Sequence, residues 1–323
     1  MKVAAGRRFF VRFGEAAQAI VPELDWALIE PDGSWSAPPD DCDLIVLAGD
    51  AYRKTFIDAM IQIPQPRWAH TEDAGTDGRF YDAMRAKGAL VSHSPGTNAP
   101  EVAEFAVGFV LWSAKRFGEL SARQRQHRWQ EAKLESLSDK TALVVGLGAI
   151  GSRIVAMLTG FGMRILGIRQ STQPVVGVEQ QGTLADLHQF LPEADFVILA
   201  TPATPQTRGL IGADELALMK SSATLINIAR GVIVDMPALK EALQTGGLRH
   251  ACLDVLPTEP WPADDDLWDM PNVFITPHTA STSLLYLPRV GQLWLDNLRR
   301  YVAGEELRHR VVWPKSKRVL QSK

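Results

Sequence analysis

Three residues distant in the chain, Arg230, Glu259 and His278, carry side chains that together could reduce a ketone beside a carboxylate. A guanidinium grips a carboxylate through two parallel hydrogen bonds. An imidazole can give a proton to a ketone oxygen near neutral pH as hydride reaches the carbon. A neighbouring carboxylate holds the imidazole in place and favours its protonated form, raising its pKa. Singly, each residue has an ordinary explanation: Arg230 as a surface charge at an element's end, Glu259 as one acid of a polar loop, His278 as a capped core histidine. Their positions tie them together. Each stands just past a short apolar run that reads as a strand: Thr224–Ala229 before Arg230, the run ending at Asp254-Val255 before Glu259, and Val273–Thr276 before His278. In an open parallel sheet the carboxyl ends of the strands form the ligand crevice, so the three would face one crevice.

A hydride donor is implied upstream. Thr141-Ala-Leu-Val-Val-Gly-Leu-Gly-Ala-Ile-Gly151 reads as a strand, a glycine turn and a helix start. In that context Gly146 permits the tight turn and Gly148 lets the backbone approach a pyrophosphate. Gly151 lets the helix pack on the strand, and the helix start at Ala149 and Ile150 offers N–H groups to an anion. A glycine-rich turn with no ligand is the plain alternative. In an NAD site an acid about 20 residues on receives the ribose hydroxyls. Here that place falls in Gly167-Ile-Arg-Gln-Ser-Thr172, where Arg169 stands and no carboxylate follows until Glu179. Arg169 could pair with a 2′-phosphate through a fork-shaped contact, with Gln170 alongside and a hydroxyl from Ser171 or Thr172. This reads as NADP; a solvated arginine at a strand end would leave NAD equally open.

The elements that must position these residues follow from apolar patterning. Short apolar runs alternate with helical patterns, which predicts βα units and parallel sheets. In the first hundred residues the expected strands are Leu44–Leu47, Arg67–His70 and Ala89–Ser92, with helices over Tyr52–Ile61 and Gly78–Lys87. Ser94-Pro-Gly-Thr-Asn-Ala-Pro100 marks a break, and Glu101–Phe117 is apolar at helical spacing. A polar stretch runs from Ser121 to Lys140. Beyond it a doubly wound series is expected: strands Ala142–Val145, Arg164–Ile168, Asp195–Ala200, Thr224–Ile228, Ala251–Val255 and Val273–Thr276, separated by helices that include Ile150–Leu158 and Pro237–Leu243. Leu287–Ala303 is helical again.

Composition narrows the partners. At 323 residues the chain is long enough for two domains. A net charge of −3 argues against a broad nucleic-acid surface, so an anionic ligand must be met by a few local arginines. Cys42 and Cys252 form no CxxC pair, which supports neither a disulfide framework nor a metal site. Met1–Phe13 is basic and lacks the apolar core of a signal peptide, and Val102–Ala114 is too short to span a bilayer. A cytoplasmic protein without membrane contact is expected.

With these residues in place, the sequence resembles the D-isomer-specific 2-hydroxyacid dehydrogenase family, which contains glyoxylate/hydroxypyruvate reductases, D-lactate dehydrogenases and phosphoglycerate dehydrogenases. The likeness runs from about Arg67 to Val312. Its motifs are Gly146-Leu-Gly-Ala-Ile-Gly151, Thr201-Pro-Ala-Thr-Pro-Gln-Thr-Arg-Gly-Leu-Ile211, Leu225-Ile-Asn-Ile-Ala-Arg-Gly-Val-Ile-Val-Asp235, Asp254-Val-Leu-Pro-Thr-Glu-Pro260 and Thr276-Pro-His278, with Val102-Ala-Glu104 at the inter-domain helix. The resemblance implies that Arg230 binds the substrate carboxylate, that His278 is the acid/base and that Glu259 is its partner. It implies that Asp254 accepts from the nicotinamide carboxamide, that Ala74 and Gly75 hold the carboxylate through backbone N–H groups, and that Thr201, Pro202, Thr207, Ile228, Ala229 and His278 border the cofactor. The implied fold is α/β, with two doubly wound parallel-sheet domains: a Rossmann cofactor domain (99–286) inserted into a flavodoxin-like substrate domain (1–98 and 287–323). A homodimer is implied too, with Trp129 on an arm near the partner's site or simply on the surface. Arg169 replaces the acid of NAD-using members, as in the NADP-preferring reductases. The segment before Arg67 matches loosely; Tyr52 and Arg53 would touch the substrate's variable group, and no regulatory domain is expected after residue 323.

The expected activity is NADPH-dependent reduction of a small 2-keto acid such as glyoxylate or hydroxypyruvate. The alternative is a dinucleotide-sensing corepressor-like binding protein on the same scaffold, which would need a peptide groove. A formate or phosphite dehydrogenase of the same family is disfavoured by Arg169.

Overall fold

Two all-parallel sheets organise the described residues of this computed structural model, which are 1–49, 54–73, 75–76 and 78–313. The chain divides into two units, Met1–Thr97 with Ser283–Lys323, and Asn98–Thr282.

The first unit begins with a strand and helix that patterning did not reveal. Lys2–Gly6 (β1) buries all but its first residue, and Arg7–Gln18 (α1) buries Phe9, Phe13, Gly14 and Ala17, a stripe recurring every three to four residues. Asp25–Ile29 (β2), Leu44–Leu47 (β3), Lys54–Gln62 (α2), Trp68–Thr71 (β4), Arg79–Ala86 (α3) and Leu90–Ser92 (β5) follow. The sheet order β2-β1-β3-β4-β5 is the flavodoxin-like one, and β1 is an interior strand, pairing Val3–Gly6 with Trp26–Ile29 on one side and Val3–Ala5 with Leu44–Val46 on the other. The expected strands at 44, 67 and 89 are therefore the second half of a five-stranded sheet. Tyr52 and Arg53 lie outside the described residues.

The second unit opens with Ala99–Ala114 (α4), whose Pro100 sits in the first helical turn, where its missing N–H costs nothing. Phe117–Arg125 (α5) follows and buries no residue, so it left no apolar period in the sequence. Thr141–Val145 (β6), Ala149–Gly160 (α6), Arg164–Ile168 (β7), Gln180–Gly182 (β8), Leu187–Phe190 (α7), Phe196–Leu199 (β9), Ala213–Leu218 (α8), Thr224–Asn227 (β10), Met236–Gln244 (α9), His250–Leu253 (β11) and Val273–Ile275 (β12) complete it. The order β12-β11-β10-β9-β6-β7-β8 reverses direction between β6 and β9, the switch point where such sheets bind nucleotides. β6, β9 and β10 are buried along their whole length because helices cover both faces, which is why they read as unbroken apolar runs. One face carries Leu143, Val145, Leu199 and Leu225, and the other Ala142, Val144, Ile198 and Ile226 with Ile154 and Val155 of α6.

The chain then returns to the first unit as Tyr286–Ala303 (α10). Gly291 lets α10 lie against α1, because a Cβ there would stand 2.1 Å from the Phe13 ring. The adjoining Phe9 and Trp294 rings meet edge to face at 5.2 Å. Among the described residues no helix is long and apolar enough to cross a membrane.

Candidate active site

The site-forming residues of the second unit sit where β6, β9, β10, β11 and β12 end. After β6, Gly146 has φ +104°, and a Cβ on it would meet the Ala200 carbonyl oxygen at 2.6 Å. A Cβ on Gly151 would fall 1.9 Å from the Gly146 oxygen, so only glycine lets α6 start this close to its strand. Gly148 is the opposite case: nothing lies within 4 Å of its Cβ position, and it caps α6 with no side chain over the first helical N–H groups. Two glycines demanded by packing and one facing open space leave the positive end of a helix bare, an arrangement that could take a pyrophosphate. Ala149 and Ile150 are the first residues of that helix.

Arg169 directly follows β7; it is half-buried, and its Nη1 donates to the Gln173 carbonyl at 3.4 Å. Gln170 and Ser171 are exposed, and Ser171 Oγ accepts from the Gln173 N–H. No carboxylate stands among residues 169–178, so the strand end is cationic. After β9, Thr207 is buried and ties its loop together, donating to the Pro202 carbonyl at 2.6 Å and accepting from the Thr204 N–H at 2.8 Å; Thr201 opens that loop. Ile228 and Ala229 are buried directly after β10.

Arg230 is placed by its neighbours. Asn227, 1% exposed at the end of β10, accepts from the Ala229 N–H and donates to the Arg230 carbonyl, both at 3.0 Å. Arg230 Nη1 donates to the Ala229 carbonyl at 2.8 Å. Next in the chain, Gly231 packs on the backbone after β11: a Cβ there would lie 2.0 Å from the Leu256 carbonyl carbon and 2.2 Å from Pro257 N. That approach brings the Arg230 turn against the loop carrying Glu259.

Glu259 links loop and imidazole. Its Oε1 accepts the Leu256 N–H at 3.0 Å, and its Oε2 meets His278 Nδ1 at 2.8 Å. His278 stands after β12 with φ +50°, an unusual conformation for a non-glycine residue, held by its N–H donating to the Asp254 and Thr276 carbonyls. Asp254, 2% exposed, fastens the same loop: Oδ1 accepts from Thr276 Oγ1 at 2.6 Å and the Thr279 N–H at 2.9 Å, Oδ2 from the Ala280 N–H at 3.0 Å.

The electrostatics follow from this geometry. The hydrogen bond from its ring N–H to Glu259 raises the His278 pKa above the ordinary histidine value; burial opposes it, the Glu259 and Asp254 charges add to it, and the Arg230 charge opposes it. Burial pushes the Glu259 carboxyl up, but the hydrogen bonds from His278 and the Leu256 N–H and the charges of His278 and Arg230 outweigh it and bring it below the ordinary value. Both shifts favour an imidazolium beside a carboxylate. With Nδ1 turned to Glu259, the transferable proton sits on Nε2.

Arg230, Glu259 and His278 thus lie in one unit, on adjoining loops, with each charge felt by the others. Gly75 lies in the other unit, its carbonyl accepting from the Tyr81 hydroxyl at 2.9 Å; Ala74 is outside the described residues. Trp129 is fully exposed. Among the described residues no group of His, Cys, Asp and Glu is placed to hold a metal ion. Sequence reasoning missed Asn227 and Gly231. An asparagine closing an apolar strand was a signal, because buried amides must be hydrogen-bonded; a glycine beside the arginine was another.

Comparison with known proteins agrees with this architecture. Residues 107–280 match the family described as D-isomer specific 2-hydroxyacid dehydrogenase, NAD binding domain. The chain is 34% identical over 268 residues to a glyoxylate/hydroxypyruvate reductase B of Pectobacterium carotovorum, covering 81% of this chain and 82% of that one. It is 33% identical over 237 residues to a D-3-phosphoglycerate dehydrogenase of Methanocaldococcus jannaschii, covering 72% of this chain but 44% of that one, so it spans about half the length of the phosphoglycerate dehydrogenases it matches. A solved D-isomer specific 2-hydroxyacid dehydrogenase from Xanthobacter autotrophicus Py2, in complex with NADPH and MES, superposes with a TM-score of 0.78 at 28% identity, covering 96% of this chain and 98% of that one.

Proposed function

The chain belongs to the D-isomer specific 2-hydroxyacid dehydrogenase family, and we propose that it reduces a small 2-keto acid, such as glyoxylate or hydroxypyruvate, to the 2-hydroxy acid with NADPH. The observation that carries this reading is the contact of His278 Nδ1 with Glu259 Oε2 at 2.8 Å beside the Arg230 charge. It supplies a proton donor and an anion anchor within one site.

Arg230 binds the substrate carboxylate, which a fork-shaped guanidinium can take through two parallel hydrogen bonds. His278 donates from Nε2 to the ketone oxygen. Glu259 keeps the ring oriented and charged until that proton leaves, then stabilises the conjugate pair until solvent returns a proton. The reduced nicotinamide, when bound, supplies the hydride equivalent at the carbonyl carbon. Gly146, Gly148, Gly151, Ala149 and Ile150 would hold the pyrophosphate, and Thr201, Pro202, Thr207, Ile228, Ala229 and His278 would border the rest of the dinucleotide. Asp254 retains acceptor capacity on Oδ2, beyond the Ala280 N–H, for a carboxamide.

Arg169, Gln170 and Ser171 would receive the 2′-phosphate, which makes NADPH the preferred cofactor over NADH. The cationic strand end supports this, as does NADPH in the Xanthobacter relative. Assembly as a homodimer, with the exposed Trp129 segment contributing to the dimer, and a cytoplasmic setting belong to the same proposal.

His278→Ala tests the assignment. Turnover of the keto acid should fall by about 10²–10⁴-fold, the range for a lost general acid, while NADPH still binds as judged by its fluorescence. Unchanged turnover would remove His278 from the chemistry.

A further inference from the structure

Beyond β7 the chain runs through an irregular loop, residues 170–179, before re-entering the sheet as the three-residue edge strand β8. β8 pairs with β7 in parallel register, Gly167 with Gln181 and Ile168 with Gly182, and the Arg169 N–H donates to the Gly182 carbonyl at 3.0 Å. Gln181 therefore sits beside the strand end that carries Arg169. Its half-buried side chain reaches back over the loop. Nε2 donates to the Ser171 carbonyl at 3.2 Å and the Gln173 carbonyl at 3.0 Å, and Oε1 accepts the Val175 N–H at 3.1 Å. Those partners fix the amide's orientation, since two carbonyls need its NH₂ and one N–H needs its oxygen.

The Gln173 carbonyl is shared, accepting from Gln181 Nε2 and from Arg169 Nη1 at 3.4 Å. A loop that is to receive an anion must keep its carbonyl oxygens away from it. Gln181 does this for two of them, and through the second it fixes where the Arg169 guanidinium rests.

We propose that Gln181 is a positioning residue for cofactor discrimination, clasping the Ser171–Val175 loop and, through the Gln173 carbonyl, orienting Arg169 toward an adenosine 2′-phosphate. The proposal rests on the reading of Arg169 as the 2′-phosphate partner. Gln181 contacts no phosphate itself; it lowers the cost of ordering the loop when the anion binds.

The test uses adenosine 2′-monophosphate and adenosine 5′-monophosphate as probes, their affinities measured by calorimetry on the full chain. Gln181→Met keeps the side-chain length and removes all three hydrogen bonds; Gln181→Glu keeps the shape but turns a carboxylate on two carbonyls. The ratio of 2′- to 5′-monophosphate affinity should fall by about 5- to 30-fold in Gln181→Met, the loss of two or three modest hydrogen bonds, and further in Gln181→Glu. KM for NADPH should rise by a similar factor while kcat and KM for NADH hold. If Arg169→Ala collapses the ratio and Gln181→Met leaves it intact, the clasp is refuted and the reading of Arg169 stands. If Arg169→Ala also leaves it intact, both fall. Equal loss of the two nucleotides in both Gln181 variants would mark a general structural role and likewise overturn the proposal.

Discussion

Gly231→Ala adds one methyl group at a point where the structure has no space for it. The Cβ would stand 2.0 Å from the Leu256 carbonyl carbon and 2.2 Å from Pro257 N, both backbone atoms with no rotamer to yield, whereas ordinary contact begins at 3.4 Å. The Arg230 turn and the Glu259 loop must therefore separate by about 1.4 Å, the difference between those two distances. Misplacing a binding or catalytic group by about 1 Å costs on the order of 10²-fold in rate. The expected outcome is a fall in kcat/KM for the keto acid of about 10²-fold, with a loss of about 1–3 kcal/mol in stability from overpacking. Loss of nicotinamide absorbance gives the rate, and thermal unfolding gives the stability. Dinucleotide affinity, which the proposal assigns chiefly to the Gly146–Gly151 turn, should change little. A Gly231→Ala protein with native kcat/KM would show that the spacing of Arg230 from the His278–Glu259 pair is not what the reaction depends on.

With His278 as the proposed proton donor and Glu259 raising its pKa, kcat/KM should fall as pH climbs through that raised value; Glu259→Gln should move the fall to lower pH, and an unmoved profile would detach Glu259 from His278. The pair's contribution to stability is complete between the ordinary carboxyl and ordinary histidine values; it disappears as pH rises through the raised His278 value or falls through the lowered Glu259 value, and it is small because both side chains are over a third exposed. Asn227→Ala strands the Ala229 N–H and the Arg230 carbonyl, so the melting temperature should drop with a loss of about 1–3 kcal/mol, together with a higher KM for the keto acid; a rise confined to the cofactor would contradict its role in holding Arg230. Arg169→Asp should shift the NADPH to NADH ratio of kcat/KM toward NADH by at least about tenfold, the loss of one charge-assisted contact, and a constant ratio would make Arg169 a bystander.

The second sheet was legible because helices cover it on both sides. β6, β9 and β10 had to be apolar at every position, and their order in the chain is the order of the βα units. The first sheet was half hidden. Its interior strand Lys2–Gly6 is short and rich in alanine, with Arg7 and Arg8 next to it, and its partner strand contains Asp25; both are stabilised by pairing and packing rather than by local preference. β8 is the polar run Gln180–Gly182 at a sheet edge, and α5 buries nothing, so neither carries a periodic signal.

At the candidate site, Arg230, Glu259 and His278 could be singled out because each comes after a strand of the second sheet. Their supports were not. The approach of Gly231 to Leu256 and the reach of Gln181 to Ser171 join segments that are separate in sequence, and nothing local in either segment encodes the meeting. Asp254 was expected through its likeness to a cofactor contact. What the structure shows of Asp254 is a task that spacing could not reveal, holding Thr276, Thr279 and Ala280 so that His278 takes its left-handed turn.

The most direct test of the account is turnover itself: purified protein assayed against a panel of small 2-keto acids, glyoxylate and hydroxypyruvate among them, with NADPH and NADH in parallel. Reduction of at least one of them is expected, faster per unit KM with NADPH, and silenced by His278→Ala without loss of NADPH binding. Tight NADPH binding with no turnover of any keto acid would contradict it and leave a protein that senses the dinucleotide without using it.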